Sequence, residues 1–233
     1  MIATVINVVL ILLGSLLGLA FQGRIRPRFA ATLTSALGLC VLGIGITGMI
    51  AGEDTLCVIV CMVVGTLLGE ALRIEDRLEG IGDLLRRRLL RGGGNHRFVE
   101  GFVNATVLFC VGAMAINGSL EAGLNQNYSI LISKSVIDGV TAITFASAMG
   151  AGVAFCVIPL FLYQGGLTLL AQWIGPLLQA AAVQEMSAVG SVIIVGIGLN
   201  MLGLPKERIQ VGNMLPAIFL PLLYLPLAAA LRG

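Results

Sequence analysis

Long apolar runs, separated by short polar stretches, follow one another from end to end of the chain. A helix needs roughly 20 mostly apolar residues to cross a bilayer's hydrocarbon core. The runs predict eight spans, at 5–22, 31–51, 55–72, 98–118, 129–149, 153–180, 187–203 and 209–231. The uncharged connector Gly150-Ala151-Gly152 leaves a second reading open, in which 129–180 contains a re-entrant element. The first run ends in its basic residues (Arg24, Arg26 and Arg28) instead of beginning with them, so it reads as a span and not as a cleaved signal.

One stretch breaks the pattern. Across 73–97, Ile74, Leu78, Ile81, Leu85 and Leu89 recur at helical spacing among charges. Glu75, Asp76, Glu79 and Asp83 come first, and Arg86, Arg87, Arg88 and Arg91 follow. That order suits the helix dipole. It predicts an amphipathic helix on the cytoplasmic membrane surface, with those four arginines near anionic headgroups. Gly92-Gly93-Gly94 then serves as a hinge. A plain anchor and a regulatory lipid switch both fit. Either way the helix belongs to a single integral membrane domain spanning 1–233.

Composition sharpens this reading. Hydrophobic residues make up 58% of the chain and charged residues 11%, against about 45–50% and 25% in soluble domains. This excludes a disordered protein, a disulfide scaffold and an ordinary soluble enzyme. The net charge of +2 is too small to suggest nucleic acid. Of the 14 basic residues, 12 fall in the loops 23–30, 73–97 and 204–208, the last holding Lys206 and Arg208. Eight spans put all three loops on one side, opposite Glu53, Asp54, Glu121 and Glu185. The positive-inside rule then places them in the cytoplasm and both termini outside. Cys40, Cys57, Cys61, Cys110 and Cys156 all lie in apolar runs and read as small packing residues.

Two small-xxx-small motifs, Gly14 to Gly18 and Gly65 to Gly69, fall in the first and third spans. Close backbone approach at glycine drives helix association in lipid. The motifs could join these two spans to each other or form a homodimer seam. Gly43-Ile-Gly45-Ile-Thr-Gly48 matches a dinucleotide-binding pattern, but it lies inside a span with no strand before it and no acidic residue at position 68. A weak likeness of 30–50 to 182–202, at an offset of 152, predicts an inverted repeat of spans 1–3 and 6–8. Such repeats are frequent in secondary transporters.

The polar residues inside the spans carry the candidate chemistry. In span five, Lys134 and Asp138 stand at i,i+4 and share a helix face, with Thr141 one turn further on. Each charge costs about 2.5–3.5 kcal/mol at a span centre. Such residues face a bundle interior or an aqueous cavity. Lys134, Asp138 and Thr141, with Asn104 and Asn117 of span four, are therefore candidates for a solute or ion path. A paired helix contact with Lys134 snorkelling to the outer interface is the competing reading. Asn200 and Asn213 flank the turn before the last span and are secondary candidates. Pro159, Pro176, Pro216, Pro221 and Pro226 interrupt the late spans and free backbone carbonyls. The single His96 is remote from every cysteine, and no nucleophile–base pair or P-loop appears. No enzyme, metal or cofactor is expected.

Several of these motifs carry a resemblance. Gly14-Ser-Leu-Leu-Gly18 leads it, and Leu108-Phe-Cys-Val-Gly-Ala-Met-Ala115, Gly118-Ser119 and Lys134-Ser-Val-Ile-Asp138-Gly139 follow. Ile158-Pro159, Tyr163-Gln164-Gly165, Gly196-Ile-Gly198-Leu-Asn200 and Asn213-Met-Leu-Pro216 extend it over essentially the full length. With these the chain resembles the bacterial multi-spanning family of domain of unknown function 554, the YqgA/YdfK-like proteins. The resemblance implies an integral inner-membrane protein loosely linked to biofilm behaviour, with no assigned reaction and no catalytic residues to transfer. The expectation is an all-α polytopic membrane protein, homodimeric, that transports a small solute or ion. The alternative is a non-transporting scaffold or signalling protein acting through the 73–97 helix.

Overall fold

Apolar runs of this length have one way to satisfy their backbone in lipid, by pairing every peptide group within a helix. The computed structural model describes residues 1–22, 27–89, 96–175 and 178–232, and among them there is no strand. The helices are α1 (Ile2–Gln22), α2 (Pro27–Ile50), α3 (Thr55–Ala71), α4 (Ile74–Leu89), α5 (His96–Cys110) and α6 (Ala113–Leu124). After them come α7 (Ser129–Met149), α8 (Gly152–Phe155), α9 (Val157–Leu169), α10 (Ala171–Ile174) and α11 (Ala180–Leu202). A 3-10 segment (Val211–Phe219) and α12 (Pro221–Arg232) close the chain. The protein is a polytopic all-α membrane protein. Five of the apolar helical stretches are long enough to cross a bilayer singly, and bent pairs raise the number of spans to as many as eight.

Three predicted spans prove to be broken. The run at 98–118 is α5 followed by α6, which reaches Leu124 and is bent from α5 by 58°. The break falls at Gly112, whose φ of +113° is open to glycine and strained for other residues. The run at 153–180 divides into α8, α9 and α10, and Gly150 (φ +87°) separates it from α7. The run at 209–231 is the 3-10 segment plus α12, bent by 44°. Conversely, α11 starts seven residues before the predicted 187, because Gln184 and Glu185 dock on the protein instead of facing lipid.

Glycine contacts show how the helices run. A Cβ at Gly14 would overlap the Gly139 carbonyl oxygen, and one at Gly18 would overlap that of Ile143, so α1 and α7 are parallel. Gly38 faces Leu202, Gly45 faces Val195 and Gly52 faces Ala188, so α2 and α11 are antiparallel. Gly65 meets Ala217 and Gly69 meets Asn213, so α3 and the 3-10 segment are antiparallel. Gly152 lies on Phe98 and Gly123 on Thr168, so α5–α6 and α8–α10 run the same way. These directions agree with a crossing by α8–α10 between α7 and α11. The two glycine motifs do not join spans one and three to each other. The first joins α1 to α7 and the second joins α3 to the 3-10 segment, and both faces are filled within the chain.

Polar clasps hold the two ends. At one end, the Glu185 Oε1 atom accepts from the Glu53 and Asp54 amides at 2.8 and 3.0 Å, and Gln184 donates to the Ala51 carbonyl. Asp54 in turn caps α3 by accepting from the Cys57 amide at 3.0 Å. At the other end, Arg208 lies 3.9 Å from Glu75 and 3.7 Å from Glu79. The Arg208 and Glu75 loops therefore share an end of the bundle, as the charge pattern expects. The first turn of α4 does not lie free on a surface. Glu75 is 3% exposed and accepts from the Gly212 amide, while Leu78 packs on the core and Ile81 and Leu84 face outward. The side chains of Arg86, Arg87, Arg88 and Arg91, with Arg24, Arg26, Arg28 and the Gly92-Gly93-Gly94 hinge, lie outside the described residues.

Candidate functional site

The buried face of α7 carries Leu131, Lys134, Ser135, Asp138, Gly139, Ala142, Phe145 and Ala146, while Ile132, Val136, Ile137 and Val140 are exposed. In water this would be an inside-out helix. In lipid it is the expected arrangement, with small and polar residues turned to the bundle. Gly139 lets α1 approach, and that approach brings the α1 side chains to Asp138.

Four side chains meet there. Lys134 ion-pairs with the Oδ2 atom of Asp138. Asn7 of α1 donates through Nδ2 to the same oxygen at 3.1 Å and to Gln164 Oε1 of α9 at 3.1 Å. Lys134 also donates to the Phe109 carbonyl at 2.8 Å. That carbonyl belongs to the last turn of α5, where carbonyls have no partner within the helix and the dipole is negative. Lys134 thus neutralises the end of a broken span. Asp138 sits near the centre of the 21-residue α7. The cluster is closed, with Asn7 and Gln164 at 0% exposure, Lys134 at 5% and Asp138 at 6%. Two of its polar atoms, Asn7 Oδ1 and Gln164 Nε2, have no hydrogen-bond partner, and neither has Thr4 Oγ1 one turn away on α1.

Of the predicted path residues, Lys134 and Asp138 are brought together and the others are not. Thr141 is half-buried and donates to its own helix, to the Ile137 carbonyl. Asn117 is exposed on α6, beyond the break. Asn104 is fully buried, but its amide meets the Met149 sulfur at 3.9 Å, about three turns past Asp138 along α7. Lys134 does not snorkel, because its ammonium is held inside the bundle. Asn7 and Gln164, which complete the site, are not among the residues that the sequence pattern marks for a path. A single asparagine near the start of the first span offers no helical partner in sequence, and Gln164 stands out only within the family motif.

Asn200 and Asn213 do structural work. The Asn200 amide holds both the carbonyl (2.8 Å) and the amide (2.9 Å) of Ile209, bridging the turn after α11. Asn213 accepts from the Glu75 amide at 2.8 Å and donates to Glu70 at 2.6 Å and Gln210 at 2.9 Å. Burial raises the Glu75 carboxyl above its usual value of 4.5, against the opposing pull of the Gly212 amide and Arg208. All five cysteines are free, and the Cys57 and Cys61 sulfurs are 3.8 Å apart. A cavity of ≈180 Å³ is lined by Tyr163, Ile116, Leu167 and other apolar residues. A cleft of ≈600 Å³ opens between α2 and α3, lined largely by Met49, Val58, Ile59 and Met62.

The family model for "Protein of unknown function (DUF554)" matches residues 2–225. The chain belongs to the DUF554 family. It is 30% identical to the "Uncharacterized membrane protein YdfK" of Bacillus subtilis (strain 168) over 225 residues, covering 95% of this chain and 94% of that protein. It is 33% identical to the "Uncharacterized protein YqgA" of Escherichia coli (strain K12) over 228 residues, 97% of this chain and 95% of that one. No solved structure matches the chain at a significant level.

Proposed function

We propose that this DUF554 protein is an inner-membrane transporter for a small solute or ion, in a conformation closed around Asp138. The observation that carries this reading is Lys134, buried inside the bundle between Asp138 and the carbonyl end of the broken α5. Discontinuous helices whose ends face charges near the midplane are how transporters build binding sites. A contact made only for packing needs no charge there, and apolar residues of similar size would avoid the desolvation cost.

An inverted repeat of spans 1–3 and 6–8 is part of the same proposal. Copies related by a twofold axis in the membrane plane meet at that axis through equivalent residues on antiparallel helices. Gly65 packs on Ala217, its counterpart at the offset of 152, and α2 runs antiparallel to α11. The basic loops face the cytoplasm in this reading and both termini lie outside. A homodimer belongs to it as well, with its seam away from the filled Gly14 and Gly65 ridges. No residue is given a catalytic role.

The test is flux. Proteoliposomes holding the wild-type protein are expected to move at least one inorganic ion down its gradient, and Asp138→Asn to reduce that flux at least tenfold. Wild-type rates in both Asp138→Asn and Lys134→Ala would remove the pair from the path. The exposed Ile81 and Leu84 of α4 favour a second reading, a scaffold that works through this helix. Deleting 75–91 separates the two, since a lost phenotype with flux intact supports the scaffold and lost flux supports transport.

A further inference from the structure

The closed cluster already contains a cation, the Lys134 ammonium, seated on two oxygens as a bound ion would be. Resting on the transport reading, we infer that this seat is a binding site for a small monovalent cation, and that Lys134 is the tethered occupant which that cation displaces.

Three features carry this. First, Asp138 is the one carboxylate in the cluster and is 6% exposed. A buried carboxylate left without a positive charge is costly, so when Lys134 leaves, another cation must take its place. One carboxylate balances one charge, which selects a monovalent ion, since divalent cations are held by more carboxylate charge. Among the described residues no group of Cys, His, Asp or Glu could hold a metal by itself, which argues against a transition-metal site here.

Second, a third oxygen is at hand. Asn7 places Nδ2 3.1 Å from Asp138 Oδ2, while its own Oδ1 has no partner and the residue is fully buried. Rotating that amide by half a turn would set Oδ1 beside Asp138 Oδ2. Two acceptors so placed repel unless a cation lies between them, so the rotated state needs a cation in the seat. Gln164 can follow, because its unpartnered Nε2 would then donate to Asn7 Oδ1 in place of the bond now accepted by Oε1. Third, Phe109 supplies a carbonyl at the negative end of a half-helix, a ligand that needs no rearrangement. Site occupancy therefore alternates between ammonium and ion, and the buried charge stays balanced in both states.

Lys134 and Lys206 are the two lysines of the chain, so amine modification reads the exchange directly. The wild-type protein in detergent is methylated with formaldehyde and pyridine–borane in sodium, potassium or choline chloride at equal ionic strength. Modification at each lysine is then counted by mass spectrometry. Sodium or potassium is expected to raise Lys134 modification severalfold and saturably, with Lys206 unchanged. Equal Lys134 modification in all three salts overturns the inference. A second measurement uses Lys134→Gln, whose unfolding midpoint is expected to rise saturably with sodium or potassium by several degrees. The double variant Lys134→Gln/Asp138→Asn is expected to show no rise. An equal rise in the double variant, or none in Lys134→Gln, also overturns it. Failure of the transport reading looks different. In that case the cation effects persist while no ion crosses proteoliposomes, leaving a binding site without a pathway.

Discussion

At the scale of single residues, buried charge sets the terms. Removing one member of the Lys134–Asp138 pair leaves the other unpaired in a low-dielectric interior, a loss of about 3–5 kcal/mol. Lys134→Met is expected to lower the unfolding midpoint sharply, and Lys134→Met/Asp138→Asn to recover most of the loss. A double variant no more stable than the single one would contradict the pairing. Asn7→Ala removes two hydrogen bonds and should cost about 1–2 kcal/mol. Glu75 supplies a pH effect. Its folded pKa is raised by burial, so the folded state holds the proton more tightly than the unfolded state. The resulting stabilisation is fully present below the unfolded value near 4.5 and is lost as pH rises through the higher folded value. Acidifying from neutral should raise the unfolding midpoint, and Glu75→Gln should flatten that dependence. The pair itself is legible in the sequence, because two opposite charges one turn apart inside an apolar run lower their burial cost by meeting each other. Its partners are not. Asn7 and Gln164 lie 131 and 26 positions from Asp138, and only the folding of α1 and α9 onto α7 joins them.

At the scale of elements, the glycine ridges determine which helices touch. Gly14→Val would drive a side chain into the Gly139 carbonyl and separate α1 from α7. Because that contact also seats Asn7 on Asp138, the variant should lose stability and site integrity together. A cysteine at Ser15, which is fully buried, should give no intermolecular crosslink. A crosslinked dimer at that position would move the homodimer seam back onto this ridge. Gly112→Ala forces a side chain into a positive φ, a strain of about 1–3 kcal/mol. Apolar length and the small-xxx-small spacing reveal the spans and their sticky faces. They do not reveal the breaks, because α5 and α6 form a continuous apolar run and nothing in its hydropathy marks Gly112 as a bend. Nor does spacing say which ridge meets which helix. The two motifs are alike in sequence, but their partners are set by the path of the whole chain.

At the scale of the molecule, the charge asymmetry along the sequence becomes two different ends. One is tied by Glu185 onto the Glu53 and Asp54 amides just before α3 and the other by Arg208 and Asn213 onto Glu75 and its neighbours. Between them, the polar cluster lies where α1, α5, α7 and α9 converge, one of them the first half of a broken span. The central claim is that this cluster opens to water during function. The most direct test is labelling of Asn7→Cys in an otherwise cysteine-free protein with a membrane-impermeant thiol reagent, applied separately to each face of sealed vesicles. Labelling from at least one face is predicted. No labelling from either face, with full labelling once the protein is denatured, would contradict the account.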